Sequence, residues 1–299
     1  MAKLHWQGVF PAITTQFRQD QSLDLEATSR HIEVLIQSGI AGLIVGGSLG
    51  ENQTLDPSEK RTLVAEAVKV AAGRIPVLSG VAEMSTAAAC QYVRDCERLG
   101  ASGFMIMPAM VYKADTAEAM HHFRKVGGAT TLPWMLYNNP VGYPVDITPQ
   151  HFAELADIPN LVALKESSAN TRRITELRIE VGDRYAIFVG VDDLALEAAV
   201  LGIDGWVAGS GIAFPRENQH FWELTRAGRW DEARQLYRWF YPLLKLDTHV
   251  KFVQYIKLAV QETGLGQEWV REPRLPLAGD ERERVLQIIR HGLAHRPSL

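Results

Sequence analysis

Only two cysteines occur in 299 residues. Cys90 and Cys96 fall in one stretch of helical period, where their spacing sets them on different faces of a helix and makes a disulfide between them awkward. Both read as reduced thiols, and a cytoplasmic protein is expected. Positive charge is not in excess either: 31 Lys and Arg against 35 Asp and Glu leave a formal net charge of -4. With a pI near 6.2, the chain offers no field for nucleic acid or for a polybasic membrane contact, so a small-molecule partner is expected. No apolar run approaches the roughly 18 residues of a membrane span, and MAKLHWQGVF has neither the apolar core nor the cleavage site of a signal peptide. Low-complexity segments and linkers are also missing.

What is present is a regular alternation. From Gly8 to about residue 210, short apolar runs alternate with longer segments of helical period, each pair taking about 25 to 30 residues as βα units do. The strand candidates are GVFPAITT, GLIVG, PVLSGV, GFMIMP, WMLYN, LVALK, AIFVG and GWVAG. They are apolar on consecutive positions, as parallel strands buried on both faces should be. Between them, Asp24 and Asp56 stand as candidate N-caps, Pro57 suits a first helical turn, and Thr148-Pro149 opens QHFAELA. The expected fold is an α/β (β/α)8 TIM barrel, with a doubly wound sheet as the alternative. Past Pro215 every stretch reads as helix. The expected division is a catalytic barrel over residues 1–226 and a C-terminal helical extension over 227–299.

In a barrel, reactive groups sit at the C-terminal ends of strands. The second strand runs into Gly47-Ser48-Leu49-Gly50-Glu51, either an ordinary glycine turn or one whose N–H groups approach an anion. The fifth ends in Tyr137-Asn138-Asn139-Pro140, placing a phenol at the barrel mouth or a buried tyrosine with a satisfied hydroxyl. The sixth, LVALK, ends in Lys165. That lysine points either to solvent or into the mouth, where desolvation lowers its pKa. A fall of roughly 3 units from about 10.4 would disfavour the charged form by about 4 kcal/mol and leave a nucleophilic amine. Gly190-Val191-Asp192-Asp193 and Ala208-Gly209-Ser210-Gly211 follow the last two strands, and either can be a plain turn.

Together, the GSLGE turn, the YNNP strand end and Lys165 in LKESS resemble the N-acetylneuraminate lyase and dihydrodipicolinate synthase family of class I Schiff-base enzymes. The likeness covers nearly the whole chain and keeps order and spacing, with GVDD and the helical tail in place. It implies a (β/α)8 barrel that assembles as a homo-oligomer, a tetramer built from two dimers, without cofactor or metal. It implies further that Lys165 forms an imine with C2 of a 2-oxo acid substrate and that Tyr137 shuttles protons. Ser48, with the turn at Gly47 and Leu49, would hold the C1 carboxylate, while Asn139, Asp192 and the backbone near Gly190 and Val207 would line the pocket.

The departures narrow the substrate. Dihydrodipicolinate synthases resemble this chain at Lys165 and Tyr137 but have two threonines in place of Ser48 and Leu49. They also have a relay tyrosine near Met110 that acts across the dimer, and an arginine at the position of Gly142. N-acetylneuraminate lyases have a Ser-Thr pair in the turn. The chain is more similar to a bacterial branch of the family that handles 1-pyrroline-4-hydroxy-2-carboxylate, through GVFPAITTQF, YNNPVGYPVDITP, KESSANTRR, LYRWFYPLLKLDTH and REPRLPL. The implied reaction is deamination of that cyclic imine to 2-oxoglutarate semialdehyde and ammonia. The alternatives are an aldolase or dehydratase of a 2-keto-3-deoxy sugar acid, separated only by pocket residues such as Ala109, Met110 and Tyr143, and a non-catalytic ligand-binding barrel.

Other features have plainer readings. His121 and His122 have no partner at ligand spacing and read as surface or packing residues. Tyr237, Trp239, Phe240 and Tyr241 read as helix packing. Tyr112 follows the fourth strand and is a candidate to reach a neighbouring subunit's site, in partial replacement of the relay tyrosine. Asp247, Thr248 and His249 join two helices, and the sequence gives no role for them.

Overall fold

A computed structural model describes residues 6–109 and 112–299. Eight parallel strands form one sheet: β1 (Gly8–Val9), β2 (Leu43–Val45), β3 (Val77–Val81), β4 (Gly103–Ile106), β5 (Trp134–Asn138), β6 (Leu161–Glu166), β7 (Ala186–Val189) and β8 (Gly205–Trp206). Their order is β1-β8-β7-β6-β5-β4-β3-β2. Closure comes just beyond β1, where Ala12 bridges Ile44, Ile44 N donates to Pro11 O at 2.9 Å and Ile13 N donates to Ile44 O at 3.0 Å. The strands are shorter than predicted at both ends of this seam. Pro11 has no N–H to give and interrupts GVFPAITT after Val9. The rest of GWVAG continues only as isolated bonds such as Val207 N to Val189 O.

Helices α1 (Leu25–Gln37), α2 (Pro57–Ala71), α3 (Thr86–Arg98), α4 (Thr116–Gly127), α5 (Pro149–Glu154), α6 (Arg172–Val181), α7 (Ala195–Val200) and α8 (Pro215–Arg226) alternate with the strands. The expected starts hold: Asp24 Oδ1 accepts from Ala27 N at 2.9 Å, Glu59 reaches back to Asp56 N at 2.9 Å, and Pro57 and Pro149 open their helices after Asp56 and Thr148. Then α9 (Trp230–Leu244), a 3-10 turn at Lys245–Thr248, α10 (Phe252–Glu262) and α11 (Gly279–Ala294) complete the chain. Tyr237 and Phe240 are buried in α9, and Tyr237 stacks on Phe221 with ring centroids 5.5 Å apart, so the aromatic run is packing. His122 is buried and bonds Thr86 Oγ1 at 2.9 Å. Cys90 and Cys96 are free thiols.

Side chains on successive strand positions divide between two cores. Val45, Ile106, Leu136, Leu164 and Ile187 pack outward against the helices, whereas Ile44, Met105, Met107, Met135, Ala163, Ala186 and Phe188 fill the barrel. This period of two is the ordinary strand alternation, hidden in the sequence because both faces are apolar. It sends Tyr137 and Lys165 inward, one step above Met135 and Ala163, at the C-terminal mouth.

Candidate functional site

Tyr137 and Lys165 are register partners on adjacent strands, and Lys165 Nζ lies 4.1 Å from the centre of the Tyr137 ring. Both are nearly sealed, at 6% and 7% exposure. Burial lowers the pKa of Lys165, while the neighbouring Asp247, then Tyr143 and Asp192, work in the opposite direction. The amine is therefore easier to deprotonate than a surface lysine yet keeps carboxyl partners that steady the ammonium. Gly190 makes the space: a Cβ there would fall 2.3 Å from Lys165 Cε and 2.2 Å from Ser167 Oγ.

Burial pushes the Tyr137 phenol up to about 12, against the hydrogen bond from Asn139 and the nearby Ser167 hydroxyl, so it is a protonated donor at neutral pH. Asn139 Nδ2 donates to the Tyr137 hydroxyl at 2.9 Å. The same side chain accepts from Gly142 N at 2.9 Å, and its carbonyl accepts from Tyr143 N at 2.7 Å. This tight turn brings Tyr143 back over the mouth, edge-on to Tyr137 with centroids 5.7 Å apart. The Tyr143 hydroxyl hydrogen-bonds Ser48 Oγ, and both touch Met107 Sδ, at 3.9 and 3.7 Å. Burial raises the Tyr143 phenol to about 12 as well, with Tyr137 adding to it and Ser48 opposing.

The turn carrying Ser48 is tightly built. Gly46 has φ of 64° and Glu51 φ of 55°, Asn52 Nδ2 donates to Gly46 O at 2.7 Å, and Thr15 Oγ1 donates to Gly50 O at 2.7 Å. Gly80 on β3 allows the approach, since a Cβ there would lie 2.5 Å from Gly46 O. Glu51 closes the turn from below. It is fully buried and pairs with Lys257 of α10 at 2.6 Å, while Arg271 N donates to its second oxygen at 3.1 Å. Helix α10 and the segment that follows it thus fasten the turn in place.

The other expected residues divide by position. Gly47 lies within this turn, 3.4 Å from Met105 Cε at its Cβ position. The Leu49 side chain is buried with the strand–helix core and not with the residues lining the barrel, so only its backbone is offered to the turn. Val207 is part of the barrel filling. Asp192 is buried close to Lys165, but its carboxylate accepts from Trp206 Nε1 at 3.0 Å, Gly209 N at 3.1 Å and Ser210 N at 2.6 Å. Those bonds tie it to the turn after β8, and burial still raises it to about 6. Ala109 precedes residues 110 and 111; Met110 lies outside the described residues. Tyr112 is exposed, its phenol raised by a hydrogen bond to Glu118. Among the described residues, no group of three or more His, Cys, Asp or Glu is placed to hold a metal ion, and no helix is long and apolar enough to cross a membrane.

Two groups were not picked out as functional from the sequence. Ser167 follows Lys165 by two positions and so shares its face, a signal that was available. Asp247 reaches the mouth from the 3-10 turn after α9, and nothing local in the sequence announces that.

The profile of the Dihydrodipicolinate synthetase family matches residues 5–292. The chain belongs to that family. It is 33% identical over 273 residues to the 4-hydroxy-tetrahydrodipicolinate synthase of Exiguobacterium sibiricum, covering 91% of this chain and 92% of that protein. It is 30% identical over 277 residues to 4-hydroxy-tetrahydrodipicolinate synthase 1 of Halalkalibacterium halodurans, covering 93% and 94%. Among solved structures, the dihydrodipicolinate synthase of Bacillus anthracis superimposes with a TM-score of 0.92 at 27% identity over 99% of this chain and all (100%) of that one. The Acinetobacter baumannii enzyme, complexed with pyruvate, gives 0.91 at 26% identity over 96% and 99%. The dihydrodipicolinate synthetase family member described here is accordingly a class I, lysine Schiff-base lyase on a TIM barrel.

Proposed function

We propose that this lyase deaminates 1-pyrroline-4-hydroxy-2-carboxylate to 2-oxoglutarate semialdehyde and ammonia, with Lys165 as nucleophile and Tyr137 as proton shuttle. The observation that carries the reading is the desolvated Lys165 amine set against the Tyr137 ring at the barrel mouth. The pyruvate bound by the Acinetobacter relative is a 2-oxo acid, the class of carbonyl such an amine attacks. The carboxylate at C1 goes to Ser48 and the N–H groups of its turn, with Tyr143 as a second hydroxyl. Gly142 provides no cation for a second carboxylate, which disfavours a dicarboxylate product. The barrel of residues 1–226 supplies these groups and the extension of 227–299 braces them. The enzyme works in the cytoplasm as a homo-oligomer, a tetramer of two dimers.

Lys165 adds to C2 of the cyclic imine, and the C2–N ring bond breaks to give an open-chain imine whose C3 protons are acidic. Loss of a C3 proton gives an enamine, which expels the 4-hydroxyl as water with a proton from a phenol. Loss of a C5 proton and reprotonation on the carbon chain turn the resulting allylic amine into a C5 imine, and two hydrolyses then release ammonia and the semialdehyde and regenerate the lysine, for a net uptake of one water.

Ammonia release from 1-pyrroline-4-hydroxy-2-carboxylate, measured beside a panel of 2-keto-3-deoxy sugar acids and beside pyruvate with aspartate semialdehyde, tests the substrate. Release with the pyrroline is expected. Activity only on the sugar acids moves the assignment to a dehydratase or aldolase, the reading favoured by the paired hydroxyls of Ser48 and Tyr143. Tyr137→Phe is expected to cut turnover about 10²-fold or more while imine formation partly survives, because general acid–base steps supply that factor; untouched turnover contradicts the shuttle. Tyr143→Phe, which removes the Ser48 partner, is expected to lower turnover about tenfold or more, and Tyr112→Phe is expected to leave it unchanged if the second phenol is supplied within one chain.

A further inference from the structure

Lys165 has to lose a proton before it can attack, and the leaving nitrogen or oxygen at C2 has to gain one. Tyr137 and Tyr143 are both protonated phenols at neutral pH, with values near 12, so neither accepts the lysine's proton readily. Asp192 is close, but both of its oxygens are engaged by N–H groups of the 206–210 turn. Burial lifts it to about 6, but most of its lone pairs are already taken by three fixed donors, which leaves little room for a further proton.

Among the described residues, Asp247 is the other carboxylate whose charge acts on Lys165. It stands on the 3-10 turn Lys245–Thr248 between α9 and α10, which packs on the Asp192–Leu194 turn. Its carboxylate is pressed against Gly209: a Cβ on that glycine would fall 2.5 Å from Oδ1 and 3.4 Å from Oδ2. The two carboxylates therefore flank one glycine, Asp192 held by its N–H and Asp247 lying over its other side. Among the described residues Asp247 has no hydrogen-bond partner. Lys165 feels its charge more than that of any other group, and Tyr137 feels it too. Asp192 and Asp193 of the facing turn repel it and Lys165 attracts it. Lys245, on its own turn, is directed instead to the Tyr241 ring, 5.8 Å away.

We infer that Asp247 is the proton partner of Lys165: it takes the proton from the lysine ammonium and returns it to the group that leaves C2. The assignment rests on Lys165 being the Schiff-base lysine. In the first half, the N–H bond of the ammonium breaks and its proton passes to a carboxylate oxygen, directly or through one water, leaving a neutral amine. The amine's lone pair then forms the bond to C2. In the second half, the C2–N ring bond, or C2–O when the substrate is an open 2-oxo acid, breaks with its electron pair on the departing atom. That atom takes the proton from the Asp247 carboxyl, and the carboxylate is restored. Burial and the neighbouring Asp192 raise Asp247 far above the ordinary carboxylate range, which brings its proton affinity toward that of the lowered lysine and suits a proton that must move both ways.

The test uses the full chain with pyruvate as probe, quenching with borohydride at timed intervals and weighing the Lys165 peptide. Asp247→Asn is expected to slow adduct formation about 10²-fold across the neutral range. Asp247→Ala should be slow as well, and added formate should restore its rate at least tenfold while leaving the wild type unchanged. If Asp247 only steadied the ammonium, removing its charge would lower the Lys165 pKa further and speed adduct formation at low pH. That acceleration, an unchanged rate, or a slow Asp247→Ala that formate does not rescue overturns the assignment. Wild-type protein that never forms an adduct refutes the Schiff-base reading instead.

Discussion

Lys165→Met is expected to abolish the borohydride-trapped adduct and to lower turnover about 10⁴-fold or more, since the covalent route is lost and only binding and the hydroxyl groups remain. The folded protein should survive the change and become more stable. Burial lowers the folded pKa of Lys165 below its ordinary 10.5, so between those two values the unfolded chain binds more protons and stability rises with pH. At neutral pH the lysine is thus held at a net cost to the fold, and an apolar side chain of similar length removes that cost. A gain in Tm accompanying total loss of activity is the signature of a group kept for chemistry. The same lowered pKa has a kinetic face: adduct formation by the wild type should rise with pH and level off below 10.5.

Lys257→Met is expected to act in the opposite way, destabilising the protein by about 3 kcal/mol, because it takes from the buried Glu51 charge its close cation and leaves it only Arg274, 3.7 Å from its other oxygen. Both side chains are fully buried, at 0% exposure, and Lys257 Nζ also donates to Trp269 O at 2.6 Å. Denaturant unfolding of Lys257→Met, of Glu51→Gln and of the pair measures this. The double variant should recover much of the loss, since it removes both charges together. Turnover of Lys257→Met should also drop, because Glu51 ends the turn that presents Ser48. An unchanged midpoint for the single variant would show that water reaches this pair.

The barrel was legible because eight apolar runs recur at the βα period, and Lys165 because a cation directly follows four apolar residues. Tyr137 was legible for the same reason, as the polar end of a strand. The direction of each side chain was not: both faces of a parallel strand are apolar, so only the folded register shows that Tyr137 and Lys165 follow Met135 and Ala163 inward. Leu49 illustrates the converse, a residue placed in the turn correctly whose side chain packs with the outer core. Asp192 was found near the site, yet its carboxylate serves the turn after β8. Asp247 was seen in the sequence without a role, because the contacts that give it one, to Gly209 and the charge on Lys165, come from segments far away along the chain. Tyr143 is an intermediate case, near enough to Tyr137 in sequence to be a pocket candidate but bonded to Ser48 only through the Asn139 turn.

Among the described residues, two lysines have lowered pKa values, Lys165 and, at about 8, Lys257. Only Lys165 stands at the barrel mouth; Lys257 is sealed against Glu51 and the Phe17 ring, 4.4 Å from its centre. Trapping wild-type protein with pyruvate and borohydride, followed by mass mapping of the digest, decides between them. One modified lysine per chain, at Lys165, is expected. Modification of Lys257, or of no lysine, would contradict it.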